Sequence, residues 1–172
     1  MGGSPLDNAC YNSYYSSMPS RLYAEIKQNK PFPWVGTEAM LGVLRTAAFV
    51  SHAIDKALKP YGLTFTQGNV LRILRGAGKA GICGREVGER LVAQVPDVSR
   101  LLDRMVEQEL VERARDENDR RHVTARITAK GLKLLDEIDP ILDEVAKERF
   151  GRLEREELTQ LVESLDRVRS TG

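Results

Sequence analysis

The chain has 172 residues, of which 41% are hydrophobic and 30% are charged, and its formal net charge is +1 at pH 7. This composition is typical of a globular protein with its own core, and it excludes a chain that is disordered throughout. No apolar run approaches the roughly 20 residues of a membrane-spanning helix, and the N-terminus lacks the features of a signal peptide. We therefore expect a cytoplasmic protein without a membrane partner.

Cysteine and histidine are scarce, which restricts metal binding and acid–base chemistry. The two cysteines, Cys10 and Cys83, and the two histidines, His52 and His122, are scattered along the sequence. Structural zinc sites show paired ligands at short spacing, and general acid–base catalysis needs a well-placed titratable group. The sequence also contains no nucleophile elbow and no phosphate-binding loop. We expect no metal, no cofactor and no enzymatic activity.

Residues 1–37 differ from the rest of the chain and form a predicted N-terminal arm. Four of the five tyrosines lie here, and Pro19, Pro31 and Pro33 prevent a long helix. The pattern leaves room for one short helix over residues 22–28. We expect the aromatic residues of the arm to pack on a surface such as that of a partner subunit; a loose tail is the alternative.

Apolar residues at helical spacing predict two helices after the arm. The first covers residues 38–58, and Gly62 follows its end. Thr64 and Gln67 have the spacing of a capping box and open the second helix. Beyond it the chain has room for a short strand at Ile82 and Cys83 and for a short helix over residues 85–92.

A further helix and a hairpin come next. Pro96 suits the first turn of a helix that ends near residue 109, because its missing N–H is not needed there. Alternating apolar and polar residues then predict strands over residues 111–115 and 123–127, and the polar stretch between them supplies the turn. Two more helices end the chain, the first of them capped by Thr128. The predicted fold is mainly α, with six helices and a two-stranded β wing.

Three helices followed by a hairpin form a winged helix-turn-helix unit, which we place at residues 63–128. In such a unit the helix before the hairpin enters the major groove of DNA, and the hairpin tip reaches the adjacent groove. Arginine pairs with guanine in the major groove and suits a narrow minor groove. Taken alone, the helix could also be a structural helix with a solvent-exposed charged face. The hairpin tip alone could also be a charged turn without a binding role. The candidate DNA contacts are Pro96, Asp97, Ser99, Arg100 and Arg104 in the helix, and Arg120 and Arg121 in the wing, where Asp119 can hold an arginine by a salt bridge.

Several separate motifs, in the right order and spacing, resemble the MarR family of transcription regulators over about residues 38–170. Two further stretches match the way in which that family opens its second helix. The motifs are Val95-Pro96-Asp97-Val98-Ser99-Arg100-Leu101-Leu102-Asp103-Arg104-Met105, Leu110-Val111-Glu112-Arg113, Asp119-Arg120-Arg121 and Ile127-Thr128-Ala129-Lys130-Gly131, and the two further stretches are Leu63-Thr64-Phe65-Thr66-Gln67 and Val70-Leu71-Arg72-Ile73-Leu74.

The resemblance implies an intertwined homodimer in which residues 38–62 and 129–170 form a helical dimerisation domain. It also implies a repressor that binds a palindromic operator in double-stranded DNA and is released by a small-molecule effector. By the same resemblance, Ser99 and Arg100 occupy recognition-helix positions and Arg121 is the wing arginine. The arm over residues 1–37 departs from the shorter family pattern.

The effector site and the mode of regulation leave alternatives open. Phe49, His52 and Tyr61 are candidate ligand-binding residues, although His52 also fits a histidine at a dimer interface. Cys10 would make the protein a thiol-based redox sensor if the arm placed it near a basic group. A third alternative is a winged-helix module that binds proteins and not DNA, and the loss of the groove-facing arginines would favour it.

Overall fold

The computed structural model describes residues 20–115 and 123–170, and these residues contain seven helices and three strands. The helices are α1 (Arg21–Glu25), α2 (Val35–Leu58), α3 (Phe65–Ala77), α4 (Gly84–Arg90), α5 (Val98–Glu107), α6 (Ala129–Phe150) and α7 (Arg155–Arg169), and the strands are β1 (Ile82–Cys83), β2 (Val111–Arg115) and β3 (Val123–Ile127). The predicted order of helices, short strand and hairpin is confirmed. The seventh helix is α1, the short helix for which the arm had room.

The predicted two-stranded β wing is present, and the short strand β1 extends it to a sheet of three strands. The strand order is β1-β3-β2, both pairs are antiparallel, and Ile82 of β1 pairs with Ala125 of β3. Gly81 makes this pairing sterically feasible. Its φ is +67°, and a Cβ at this position would lie 2.5 Å from the carbonyl oxygen of Ala125. A glycine can adopt this conformation without a clash, so the chain turns closely against β3.

The described residues from Val50 onward form one compact unit, and its core joins the helices to the sheet. Leu102 and Met105 of α5 are buried in this core, as are Leu71 of α3 and Val87 of α4. Burial of an aliphatic side chain of this size stabilises a fold by roughly 1.5–3 kcal/mol. The core therefore fixes the position of α5 against α3 and α4.

Residues 1–49 form a second unit, whose described part begins at Ser20. Tyr23 and Phe32 are both buried, their ring centroids are 5.0 Å apart, and the backbone N–H of Phe32 donates to the Tyr23 hydroxyl over 3.0 Å. The Ser20 hydroxyl donates to the buried carboxylate of Glu38. The segment before α2 is thus held to the start of α2 by aromatic and polar contacts.

Within residues 20–115 and 123–170, no helix has both the length and the apolar character that crossing a membrane requires.

Candidate nucleic-acid interface

Helix α5 has one face in the core and the other in solvent. Leu102 and Met105 are 1% and 0% exposed, and they lie three residues apart on the same face. The side chain of Asp97 caps the helix by accepting a hydrogen bond of 2.9 Å from the backbone N–H of Arg100. The outward face carries the predicted contact residues Ser99, Arg100 and Arg104, together with Asp103, and all four are exposed.

The C-terminal end of α5 is held by helix α3. The Gln67 side-chain amide donates to the Gln108 side-chain carbonyl over 3.1 Å, and Gln108 is the C-cap of α5. Gln67 is itself buried, and its side-chain oxygen accepts from the backbone N–H of Thr64 over 3.0 Å in the predicted capping box. The side-chain oxygen of Gln67 is bonded within the capping box, and its side-chain nitrogen is bonded to Gln108. Gln67 therefore links the first turn of α3 to the last turn of α5.

Arg113 of β2 contacts the first half of α5, and it was not among the predicted site residues. One of its terminal nitrogens, Nη2, donates to the backbone carbonyl of Ser99 over 3.0 Å and to its hydroxyl oxygen over 3.2 Å. The other, Nη1, lies 3.1 Å from the carboxylate of Asp103. The register pairs Arg113 with the buried Ala125, so both residues lie on the core-facing side of the sheet. The alternation of residues along β2 already predicts Arg113 on this apolar face. A charged side chain at such a position needs a polar partner, so the sequence contains a signal for this contact.

The two arginines on the outward face of α5 stand apart from this network. Within the part of the chain that the structure describes, neither Arg100 nor Arg104 takes part in an ion pair. Arg113 in the same region is occupied by Ser99 and Asp103.

The candidate wing residues Asp119, Arg120 and Arg121 lie outside the described residues. They fall between the end of β2 at Arg115 and the start of β3 at Val123. Cys10, the candidate redox cysteine, also lies outside the described residues.

A cavity of about 500 Å³ lies between α3, α6 and the C-terminal half of α2. The predicted ligand-binding residues Phe49, His52 and Tyr61 are not among the residues that line it; His52 is exposed, and Tyr61 is partly buried against the core. The cavity has apolar walls and one polar side. The apolar walls include Val50, Ile54, Phe65, Leu142 and Phe150, and the polar side carries Arg72, Arg75, Asp139 and Asp143.

The polar side of this cavity is an ion-pair network between α3 and α6. Arg72 and Arg75 both donate to the carboxylate of Asp139, with N–O distances of 2.6 and 2.8 Å. Burial raises the pKa of Asp139, but the hydrogen bonds from Arg75 and Arg72 and the charges of both guanidiniums outweigh it, so the pKa lies below its usual value. Asp139 is therefore ionised at neutral pH and links the two helices.

Similarity to known proteins decides the family to which this chain belongs. The family model described as MarR family matches residues 61–122. The HTH-type transcriptional regulator MgrA of Staphylococcus aureus is 32% identical over 114 residues, which cover 66% of this chain and 75% of MgrA. The chain belongs to the MarR family. The match to the MarR family model includes the candidate residues of α5.

Two solved structures resemble this chain in fold. A crystal structure of a mutant MarR from E. coli complexed with operator DNA has a TM-score of 0.67 and 24% identity, and the match covers 87% of this chain and 99% of that one. CouR from Rhodococcus jostii RHA1, solved bound to p-coumaroyl-CoA, has a TM-score of 0.65 and 25% identity, and the match covers 80% of this chain and 95% of that one.

Replacing Asp139 by Asn should lower the free energy of unfolding at neutral pH by about 1 kcal/mol and flatten its decline in acid. The pKa of Asp139 is lower in the folded state, so its carboxylate stabilises the fold above the unfolded pKa of about 4, and this contribution is lost as the pH falls through the folded pKa. Urea unfolding between about pH 7 and pH 3 measures both effects.

Asp136→Asn is the matched control on the same helix. The Asp136 carboxylate is 3.8 Å from Arg75 and 76% exposed, so we expect little change in stability at any pH. If Asp139→Asn and the wild type lose stability in parallel as the pH falls, the Asp139 network does not stabilise the fold in the way described.

Proposed function

We propose that this MarR-family regulator binds a palindromic operator in double-stranded DNA as a homodimer and represses transcription from it. The observation that carries the proposal is the geometry of α5. Its apolar face is buried in the core, its two ends are held by Gln67 and Arg113, and Arg100 and Arg104 face outward. A rigidly held helix with outward-facing arginines is suited to the major groove.

The similarity to proteins of known role supports the proposal. The E. coli MarR structure of similar fold is complexed with operator DNA, and MgrA is named as a transcriptional regulator. In the proposed domain arrangement, residues 63–128 bind DNA, and residues 38–62 and 129–170 form the dimerisation domain. Pro96, Asp97, Ser99, Arg100 and Arg104 form the groove-facing end of each DNA-binding domain, and Arg120 and Arg121 form its wing, with Asp119 as a salt-bridge partner.

Dimerisation is supported by apolar surface on the terminal helices of each unit. In the unit of residues 1–49, Trp34 and Leu44 are 64% and 60% exposed, and Met40 and Val43 are also exposed. In the other unit, Val162 and Val168 of α7 are exposed. Monomeric proteins rarely leave several large apolar side chains exposed together, and a second copy would cover those of α2.

The dimer should be disrupted by a charge on the exposed apolar face of α2. Leu44→Glu is expected to give monomers at micromolar concentration, because the carboxylate would be buried without a partner in the interface. Sedimentation velocity measures the mass. Trp34, the sole tryptophan, reports the same change, since its fluorescence should shift to longer wavelength when it loses a covering partner.

Thr46→Glu is the control for Leu44→Glu, since it adds the same charge at an exposed polar position of the same helix. A wild-type protein that sediments as a folded monomer would refute the dimer. It would also remove the reason to expect two half-sites about 34 Å apart.

Arg100→Ala and Arg121→Ala should affect DNA binding differently. Arg100 lies in the first turns of α5 and would contact base edges, where one bidentate contact is worth roughly 1–3 kcal/mol of discrimination. Its loss should relax sequence preference. Loss of Arg121 should weaken binding to all sequences more evenly, because the minor groove carries a degenerate pattern. Binding to a randomised operator library at two salt concentrations measures both.

Arg152→Ala, between α6 and α7, is the charge-matched control for these two variants and should leave binding unchanged. If Arg100→Ala weakens every sequence equally and reduces the salt slope by about one unit, Arg100 contacts phosphate and does not read bases. If Arg121→Ala and Arg120→Ala both bind within about twofold of the wild type, the wing assignment fails.

We also propose that the cavity of about 500 Å³ binds a small-molecule effector that releases the operator. A cavity of this size with apolar walls and a few polar groups suits a small organic ligand, and CouR, of similar fold, was solved with a coenzyme A thioester. The cavity also connects to α5. The backbone N–H of Phe65 in its wall donates to Asp55 over 2.8 Å at the start of α3, and α3 carries Gln67, which binds Gln108.

Filling the cavity should abolish the response to an effector and leave DNA binding intact. Compounds are first selected for raising the melting temperature of the wild type and lowering its operator affinity. Ala146 is an exposed residue of the cavity lining, so Ala146→Trp places an indole in the cavity. The selected compounds should then neither raise the melting temperature of this variant nor lower its operator affinity. Lys147→Trp, one residue further along α6, is the control. An unchanged response of Ala146→Trp would place the effector elsewhere.

A further inference from the structure

We propose that Arg113 is a positioning residue for the DNA contacts of α5, acting through Ser99 and Asp103. It orients the Ser99 hydroxyl as a hydrogen-bond donor, and it occupies Asp103 so that Asp103 does not pair with Arg100. The inference rests on the proposed function, since it assigns to a residue of the sheet the arrangement of the groups that meet the DNA.

Three contacts from one guanidinium define the arrangement. Nη2 of Arg113 lies 3.0 Å from the Ser99 carbonyl oxygen and 3.2 Å from its hydroxyl oxygen, and Nη1 lies 3.1 Å from Asp103. Ser99 and Asp103 are four residues apart and therefore neighbours on the surface of α5. The side chain of Arg113 is 30% exposed, which places it beside the outward face of the helix.

The contact with Ser99 determines which hydrogen bond the hydroxyl offers to DNA. The hydroxyl oxygen accepts from a cationic guanidinium, so the hydroxyl proton points away from that charge and toward solvent. A group that accepts this proton is favoured as a partner, and a second donor approaching the same oxygen would also meet the charge of Arg113. The acceptors available in the major groove are guanine O6 and N7, adenine N7 and thymine O4, and phosphate oxygens are available outside it.

The contact with Asp103 determines the state of Arg100. Asp103 follows Arg100 by three residues, a spacing at which opposite charges on a helix pair. In the structure Asp103 pairs with Arg113, and Arg100 has no ion pair within the described residues. Without Arg113, the carboxylate would be free to pair with Arg100, and it would also present an unneutralised negative charge to the phosphates of the DNA.

A lysine cannot replace Arg113 in this arrangement. The three contacts come from two nitrogens of a planar group that point in fixed directions. A lysine ammonium supplies a single charged nitrogen on a flexible stem. Arg113→Lys therefore retains the charge but not the simultaneous contact with Ser99 and Asp103.

The test compares variants of the full-length protein on an operator selected by the wild type from a randomised library. Arg113→Ala should bind about tenfold more weakly, because it loses the Ser99 orientation and gains an Arg100–Asp103 pair. Asp103→Asn alone should bind at least as tightly as the wild type, and Arg113→Ala combined with Asp103→Asn should regain at least half of the loss on a logarithmic scale. Arg113→Lys should lie between the wild type and Arg113→Ala.

Arg126→Ala is the matched control, because this arginine lies on the neighbouring strand and its Nε donates to the Ala80 carbonyl over 3.3 Å. It should leave operator affinity unchanged. The orientation of Ser99 is tested with operators that carry 7-deazapurines, in which N7 is missing. Ser99→Ala and Arg113→Ala should lose discrimination at the same base position, and Asp103→Asn should keep it.

Two outcomes would overturn the inference. Operator affinity of Arg113→Ala within about twofold of the wild type removes the role of Arg113. If Asp103→Asn weakens binding as much as Arg113→Ala, the ion pair matters only for the fold. If urea titrations show that Arg113→Ala is unfolded, the operator affinities of Arg113→Lys and Asp103→Asn test the inference by the same criteria. A wild-type protein that selects no operator refutes the proposed function itself, which distinguishes that failure from the failure of this inference.

Discussion

The burial of Leu102 and Met105 determines how the rest of the candidate interface is arranged. These two side chains fix the rotation of α5 about its own axis, because a turn of the helix in either direction would expose one of them. Every polar residue of α5 then has a set direction. The cap at Asp97 and the bond between Gln67 and Gln108 fix the two ends, so the core, and not any polar contact, selects the outward face.

Much of this arrangement follows from local sequence patterns. Helix α5 was predicted over residues 96–109 and runs from Val98 to Glu107, and the capping box of Thr64 and Gln67 is present as predicted. The spacing of apolar residues along one element contains this information. Strands β2 and β3 also have the bounds that the alternation of apolar and polar residues predicts, 111–115 and 123–127.

Contacts between segments that are distant in sequence cannot be predicted from such local patterns. The pairing of β1 with β3 depends on the close approach of Gly81 to Ala125, and the partners of Arg113 depend on the register between β2 and β3. The cavity is formed by residues from three helices, so no single helical face predicts its lining. The predicted ligand-binding residues Phe49, His52 and Tyr61 are not among the residues that line this cavity.

Ion pairs between arginines and aspartates determine which cations lack an acidic partner in a chain whose net charge is only +1. Arg72 and Arg75 are paired with Asp139, and Arg113 is paired with Asp103. Each of these pairs lowers the field of the arginine toward solvent. Arg100 and Arg104 are left without an ion pair in the described residues, and they lie on the face that the core turns outward. The local field at α5 is therefore set by which carboxylates are already occupied, and the total charge of the chain carries little information about it.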